Sequence, residues 1–184
     1  RTMRAEGLPE LAVRNFRHYF EQLAGGAQGT LSRAEIDPVD ELPDARELGS
    51  YGKAGELALG ETVVIKLNGG LGTSMGMTRA KSLLPGKAGL TFLDVIARQV
   101  QHLEGRVGRP GPLLLMNSFR TRDDSLALLA RYGDLAAGLP RDVLQHKVPR
   151  ILAADLSPVE WPAEPSHEWC PPGHGDLYPA MLGT

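Results

Sequence analysis

Apolar residues recur at three- and four-residue steps through Leu8, Leu11, Ala12, Phe16, Tyr19, Phe20 and Leu23, which predicts an amphipathic helix stopped by Gly25-Gly26. The next patterned stretch is Leu31-Ser32-Arg33-Ala34-Glu35-Ile36, where Ser32 and Glu35 have the spacing of a capping box and Leu31 and Ile36 flank them as a hydrophobic staple. Pro38 disfavours helical geometry at Asp37, so this helix is expected to be a single turn. Residues 37 to 60 carry Pro38, Pro43, Gly49, Gly52, Gly55 and Gly60 and read as a connector with short helical pieces.

The pattern changes at Thr62. A short β-branched run to Leu67 predicts a buried strand that breaks into a glycine-rich loop. Thr91 is placed to cap a helix with Phe92, Ile96, Val100 and Leu103 on its inner face. Leu113 to Met116 is a second buried strand, introduced by Pro110-Gly111-Pro112. Thr121 is then expected to cap a helix that turns Leu126, Leu129 and Tyr132 inward and stops at Gly133. Asp142 to Gln145 is a short third strand. Strands alternating with helices imply an α/β fold with a parallel sheet, whose ligands lie beyond the carboxyl ends of the strands. Asn68, Asn117 and Gln145 stand at three such ends, although any one of them also fits a loop former. The organisation read from these patterns is a helical segment and connector over 1–60 and a regular α/β part over 61–184.

Composition narrows the function by exclusion. The chain has 184 residues, enough for one domain with a sizeable core, and a formal net charge of -2 with 23% charged residues. Lys and Arg are scattered and aromatic content is 5%, so neither a basic patch nor a stacking platform for nucleic acid is indicated. No apolar run approaches the roughly 18 to 20 residues that span a bilayer. The single cysteine allows no internal disulfide and fits a cytoplasmic location.

The chemistry concentrates in two stretches. In Leu67-Asn68-Gly69-Gly70-Leu71-Gly72-Thr73-Ser74-Met75-Gly76, the glycines let an anion approach converging N–H groups, and Lys81 adds a mobile charge. A Walker loop is excluded because Ala80 precedes Lys81, and a dinucleotide fingerprint because Met75 stands where its last glycine belongs. A plain glycine-rich turn remains open on composition alone. The second stretch is Trp169-Cys170-Pro171-Pro172-Gly173-His174-Gly175-Asp176, in which an imidazole sits between glycines, accessible to a sugar hydroxyl or phosphate, or simply solvated. His167, Cys170 and His174 are ligand types, but a structural zinc normally takes four ligands with more than one cysteine.

Both stretches resemble the UTP:glucose-1-phosphate uridylyltransferases, the eukaryotic-type UDP-glucose pyrophosphorylases. The first matches their nucleotide loop, except that the family usually has Gly-Pro-Lys-Ser where this chain has Arg79-Ala80-Lys81-Ser82. The second matches Pro-Pro-Gly-His-Gly-Asp, and family-like sequence extends over roughly residues 10 to 184. The resemblance implies a Rossmann-like, glycosyltransferase-A-like nucleotidyltransferase fold, incomplete at the C-terminal end, with 61–184 as the N-terminal part of that domain. It implies nucleotide binding by Leu67, Asn68, Gly69, Gly70, Lys81, Gln145 and Gly173, a catalytic role for Lys81, and sugar-phosphate binding by His174. Amides at strand ends would also suit uracil, whose edge offers carbonyls and one N–H. UTP and glucose 1-phosphate are the implied substrates and Mg²⁺ the implied cofactor. The related UDP-N-acetylhexosamine pyrophosphorylases carry Gly-Asn-Gly-Gly here, so His174 and Asp176 favour glucose. In the family the magnesium-anchoring aspartate and a second catalytic lysine lie further downstream. The chain is therefore expected to be a fragment of the enzyme, the alternatives being a non-catalytic uridine-nucleotide-binding module or a pyrophosphorylase for another UDP-sugar such as UDP-N-acetylhexosamine.

Overall fold

The computed structural model describes residues 1–72, 75–108 and 111–183. In chain order, α1 (Thr2–Ala5) and α2 (Glu10–Ala24) lead through 3-10 turns at Arg33–Glu35 and Ala45–Tyr51 to α3 (Gly52–Leu59). The regular part follows as β1 (Val64–Asn68), α4 (Phe92–Val107), β2 (Leu113–Asn117), α5 (Arg122–Leu129), β3 (Asp142–Leu144), β4 (Val148–Pro149), β5 (Trp169–Cys170) and α6 (Leu177–Met181).

β1, β2 and β3 form a parallel sheet in that order, with Val64 opposite Leu113, Asn68 opposite Asn117 and Asn117 opposite Leu144. Every residue of β2 is buried because it is the central strand with both faces covered. Leu113 and Leu115 face Leu93, Ala97 and Val100 of α4 and Leu129 of α5, while Leu114 packs on the other side with Val143 and Ala180. Fully burying a leucine of this kind contributes about 1.5 to 3 kcal/mol. β4 and β5 make a small antiparallel pair, and Trp169 joins Met3, Ala12 and Val13, so the amino-terminal helices close over that pair.

Several expectations are corrected. On α4 the buried series is Leu93, Ala97 and Val100, and Phe92, at the first helical position, is 54% exposed. Asp94 also faces inward. Thr91 caps α4, its Oγ1 accepting from Asp94 N–H, while the Asp94 carboxylate receives Thr91 N–H, Thr91 O–H, Arg131 Nη2 and Tyr132 O–H at 2.5 to 2.9 Å. Burial alone would raise this carboxyl's pKa, but the Tyr132 and Thr91 hydrogen bonds and the Arg131 charge outweigh it and hold it at about 2. Thr121 does not cap α5 through its side chain. Its backbone is already helical, and its Oγ1 accepts the Ser118 N–H at 3.0 Å. On α2, Tyr19 and Leu23 remain exposed because only the first half of that helix lies against β4 and β5. Ser32 and Glu35 do form the capping box, with Ser32 N–H donating to Glu35 Oε2 at 2.7 Å, but Leu31 and Ile36 stay in solvent and form no buried staple. Thr73, Ser74 and Pro110, named in the sequence patterns, lie outside the described residues. Among the described residues no helix is long and apolar enough to cross a membrane.

Candidate functional site

The glycine loop leaves β1 at Asn68 and folds back on itself. Lys81 N–H donates to Gly70 C=O at 3.1 Å and Gly72 N–H to Arg79 C=O at 3.3 Å, flanking an antiparallel bridge between Leu71 and Ala80. Ala80 is fully buried, so the Lys81 backbone is restrained by pairing where a proline would restrain it by ring closure. The Lys81 side chain is exposed and has no acidic partner among the described residues. Gly72 is required by close packing, since a Cβ there would strike Met77.

The three strand-end amides converge, but they divide by role. Asn68 Nδ2 donates to Asn117 Oδ1 at 2.7 Å and to Ser125 Oγ at 2.8 Å, and Asn68 Oδ1 accepts from Ser82 Oγ at 2.5 Å. Asn117 Nδ2 donates in turn to Asp142, which also pairs with Arg122. Asn68 and Asn117 are buried and spent on this network, so neither side chain is free to read a base. What Asn68 can offer a ligand is main chain. The network also ties Ser82, and with it the adjacent Lys81, to the end of β1.

Gln145 differs. Its Nε2 donates to Gly173 C=O at 2.6 Å, whereas its Oε1 is buried with no hydrogen-bond partner among the described residues. Oε1 lies so close to Gly69 that a Cβ on that residue would overlap it. An unpaired buried acceptor costs about 1 to 3 kcal/mol, so this atom invites a donor. Gly173 has φ +117° and ψ 174°, a conformation essentially reserved to glycine, and opens the 3-10 turn His174–Asp176. His174 is exposed, and its side chain has no partner among the described residues. The structure thus brings Leu67, Asn68, Gly69, Gly70, Lys81, Gln145, Gly173 and His174 to the carboxyl ends of β1 and β3.

Sequence reasoning missed three neighbours. Lys66 is half buried beside the loop, donating through Nζ to Leu67 C=O, and burial lowers its pKa. Ser82 anchors the loop, and His146 binds Asp176. Only Ser82 had a local signal, its place directly after Lys81. The Asp176 carboxylate accepts from His146 N–H at 2.6 Å and lies 2.9 Å from His146 Nδ1, so it is not free for a metal. Among the described residues no group of three or more His, Cys, Asp or Glu is placed to hold an ion.

Among the described residues, glycine main chain beside an unopposed ammonium suits a phosphate, and a lone buried acceptor suits a planar N–H donor; a nucleotide is a ligand that presents both. A family model described as UTP--glucose-1-phosphate uridylyltransferase matches residues 13–184. The UTP--glucose-1-phosphate uridylyltransferase of Hordeum vulgare is 41% identical over 177 residues, covering 95% of this chain and 36% of the relative. That of Saccharomyces cerevisiae is 42% identical over 126 residues, covering 67% of this chain and 25% of the relative. A mutant UDP-glucose pyrophosphorylase from Leishmania major, solved with UDP-glucose, superposes with a TM-score of 0.87 at 39% identity over 99% of this chain and 38% of that one. The chain belongs to the UTP--glucose-1-phosphate uridylyltransferase family. It spans 36% of the length of the barley relative and 38% of the Leishmania enzyme.

Proposed function

We propose that this chain forms the nucleotide-binding part of a uridylyltransferase that makes UDP-glucose and pyrophosphate from UTP and glucose 1-phosphate. The finer fold assignment, a Rossmann-like nucleotidyltransferase of the glycosyltransferase-A-like kind, and a cytoplasmic location belong to the same reading. The observation that carries it is the orphaned Oε1 of Gln145 against Gly69. With Nε2 committed to Gly173, the amide can only accept at that point. Uracil offers an N3–H donor there, whereas cytosine offers an unprotonated ring nitrogen that would repel it.

The rest of the nucleotide follows from that anchor. Main chain of Leu67, Asn68, Gly69 and Gly70 lines the loop side, Lys81 reaches the phosphates, and His174 meets the phosphate of the sugar. A phosphate oxygen of glucose 1-phosphate attacks the α-phosphorus of UTP in line, forming the new P–O bond as the bond to the bridging oxygen breaks and pyrophosphate leaves. Little covalent work falls to the protein. Lys81 and the loop N–H groups hold the reactants and neutralise charge that grows around the α-phosphorus. Magnesium belongs to the proposal as the counter-ion of the triphosphate, whose oxygens it prefers. The described side chains do not by themselves form a cage for it.

The test is pyrophosphate release by the protein of the complete reading frame, supplied with glucose 1-phosphate and with UTP, CTP or ATP in turn. Turnover with UTP and a drop of roughly tenfold or more with CTP is expected. Equal use of all three would overturn the base-reading assignment, and nucleotide binding without turnover would overturn the enzyme assignment.

A further inference from the structure

Two consecutive residues after β3 grip both ends of the turn that carries His174. Gln145 takes the entry, its Nε2 bonded to Gly173 C=O at 2.6 Å. His146 takes the exit, with its N–H on Asp176 Oδ2 at 2.6 Å and its Nδ1 against Asp176 Oδ1 at 2.9 Å. A third bond closes the turn, from Asp176 N–H back to Gly173 C=O at 3.2 Å. The His146 and Asp176 side chains are only 11% and 7% exposed, while His174 between the two grips is exposed. A cleft of about 440 Å³ is lined by Phe16 and Tyr19 of α2 on one side and by His146, Gly175, Asp176 and Pro179 on the other, so α2 does not cover the turn there.

Resting on the uridylyltransferase reading, we infer that His146 and Asp176 are positioning residues, a clasp that sets His174 at the distance from Gln145 that separates the phosphate of glucose 1-phosphate from the uracil ring. Asp176 acts through its two hydrogen bonds to His146 and touches neither the reactants nor a metal. The peptide link between Gln145 and His146 makes the base reader and the sugar-phosphate reader one mechanical unit. A bidentate grip is what such a unit needs, since one bond would fix distance and leave rotation free.

Replacement of Asp176 separates hydrogen bonding from charge. Asp176→Asn keeps an oxygen for His146 N–H and can donate to a neutral His146 Nδ1, whereas Asp176→Ala keeps nothing. In the protein of the complete reading frame, Asp176→Ala is expected to raise KM for glucose 1-phosphate by roughly tenfold, with KM for UTP and kcat changed by less than about threefold, the pattern of lost binding rather than lost transition-state contact. Asp176→Asn should recover most of that loss, as should His146→Asn, whose amide nitrogen can stand where Nδ1 stands. Calorimetry with UDP-glucose and UDP reads the same variants without turnover, and the preference for UDP-glucose should fall in Asp176→Ala and return in Asp176→Asn. If Asp176→Ala does not fold, His146→Ala serves in its place, since residue 146 keeps its N–H on Asp176.

Equal damage in Asp176→Asn and Asp176→Ala, concentrated in kcat, would mean that Asp176 works by charge on the reaction and would overturn the clasp. A lowered melting temperature with unchanged constants and unchanged binding would reduce it to ordinary structure and overturn it equally. A wild-type protein that binds UDP-glucose but does not turn over fails the function reading alone, and the binding ratios still decide the clasp.

Discussion

Replacing Gly69 by alanine should disable the base reader without touching it directly. The added Cβ overlaps Gln145 Oε1, with Gln145 Cδ next at 3.5 Å and Ser118 Cβ at an ordinary 3.7 Å. A long side chain would normally swing away from such a contact at little cost. Gln145 cannot, because its Nε2 is held by Gly173 C=O at 2.6 Å, so relief of the overlap breaks that bond or moves the turn. The donor of the base then loses its acceptor, a loss of about 1 to 3 kcal/mol, or roughly 5- to 150-fold in UTP affinity. Binding of CTP, which gains nothing from Oε1, should change much less, so the preference for UTP collapses. A double-mutant cycle sharpens the test. Gln145→Ala removes the atom that Gly69→Ala strikes, so the second substitution should add almost nothing to the first, and the coupling should equal most of the single effect. Titration calorimetry of the four proteins with UTP and CTP measures it. Additive losses, or wild-type affinity in Gly69→Ala, would refute the placement of uracil against Oε1.

Two further outcomes are expected. Lys81→Ala in the protein of the complete reading frame should lower kcat by about two orders of magnitude and change KM for UTP less, because an ammonium with no acidic partner among the described residues can answer charge that appears only in the transition state; steady-state kinetics gives the split, and a loss confined to KM would contradict it. Asp94, at about 2 against an ordinary 3.8, is depressed in the folded state, so its contribution to stability is complete above about pH 4 and is lost as pH falls through about 2. Melting temperature against pH should therefore fall less steeply in acid for Asp94→Asn than for the wild type, and Asp94→Asn should already be less stable at neutral pH.

The parallel sheet was legible because its signals are local: Leu113 to Met116 is an uninterrupted apolar run, and the β-branched Val63-Val64-Ile65 shortly precedes the glycines. The inner face of α4 was not. Its apolar residues support two overlapping series, and the choice between them is made by Asp94, whose donors Arg131 and Tyr132 lie 37 and 38 positions away. The same holds at the site. That Asn68, Asn117 and Gln145 meet could be read from their strand ends, but which amide keeps a free atom depends on Ser82, Ser125 and Gly173 arriving from elsewhere in the chain. His146 and Asp176 are 30 positions apart and share no periodicity that would pair them. Distant partners settle what short-range pattern leaves open.

The buried pair Asn68 and Asn117 also acts on states the protein must avoid. These residues sit opposite each other at the last rung of β1 and β2. A slip of one residue would turn every apolar side chain of β1 to the wrong face, but a slip of two would preserve that alternation and go unpunished by hydrophobicity alone. The amides punish it, for either slip parts Asn68 from Asn117 and from Ser125 and strands buried donors at about 1 to 3 kcal/mol apiece. Misaligned sheets are thereby rejected during folding at the last rung of the pair, and the loop after Asn68 always starts from the same height above the sheet.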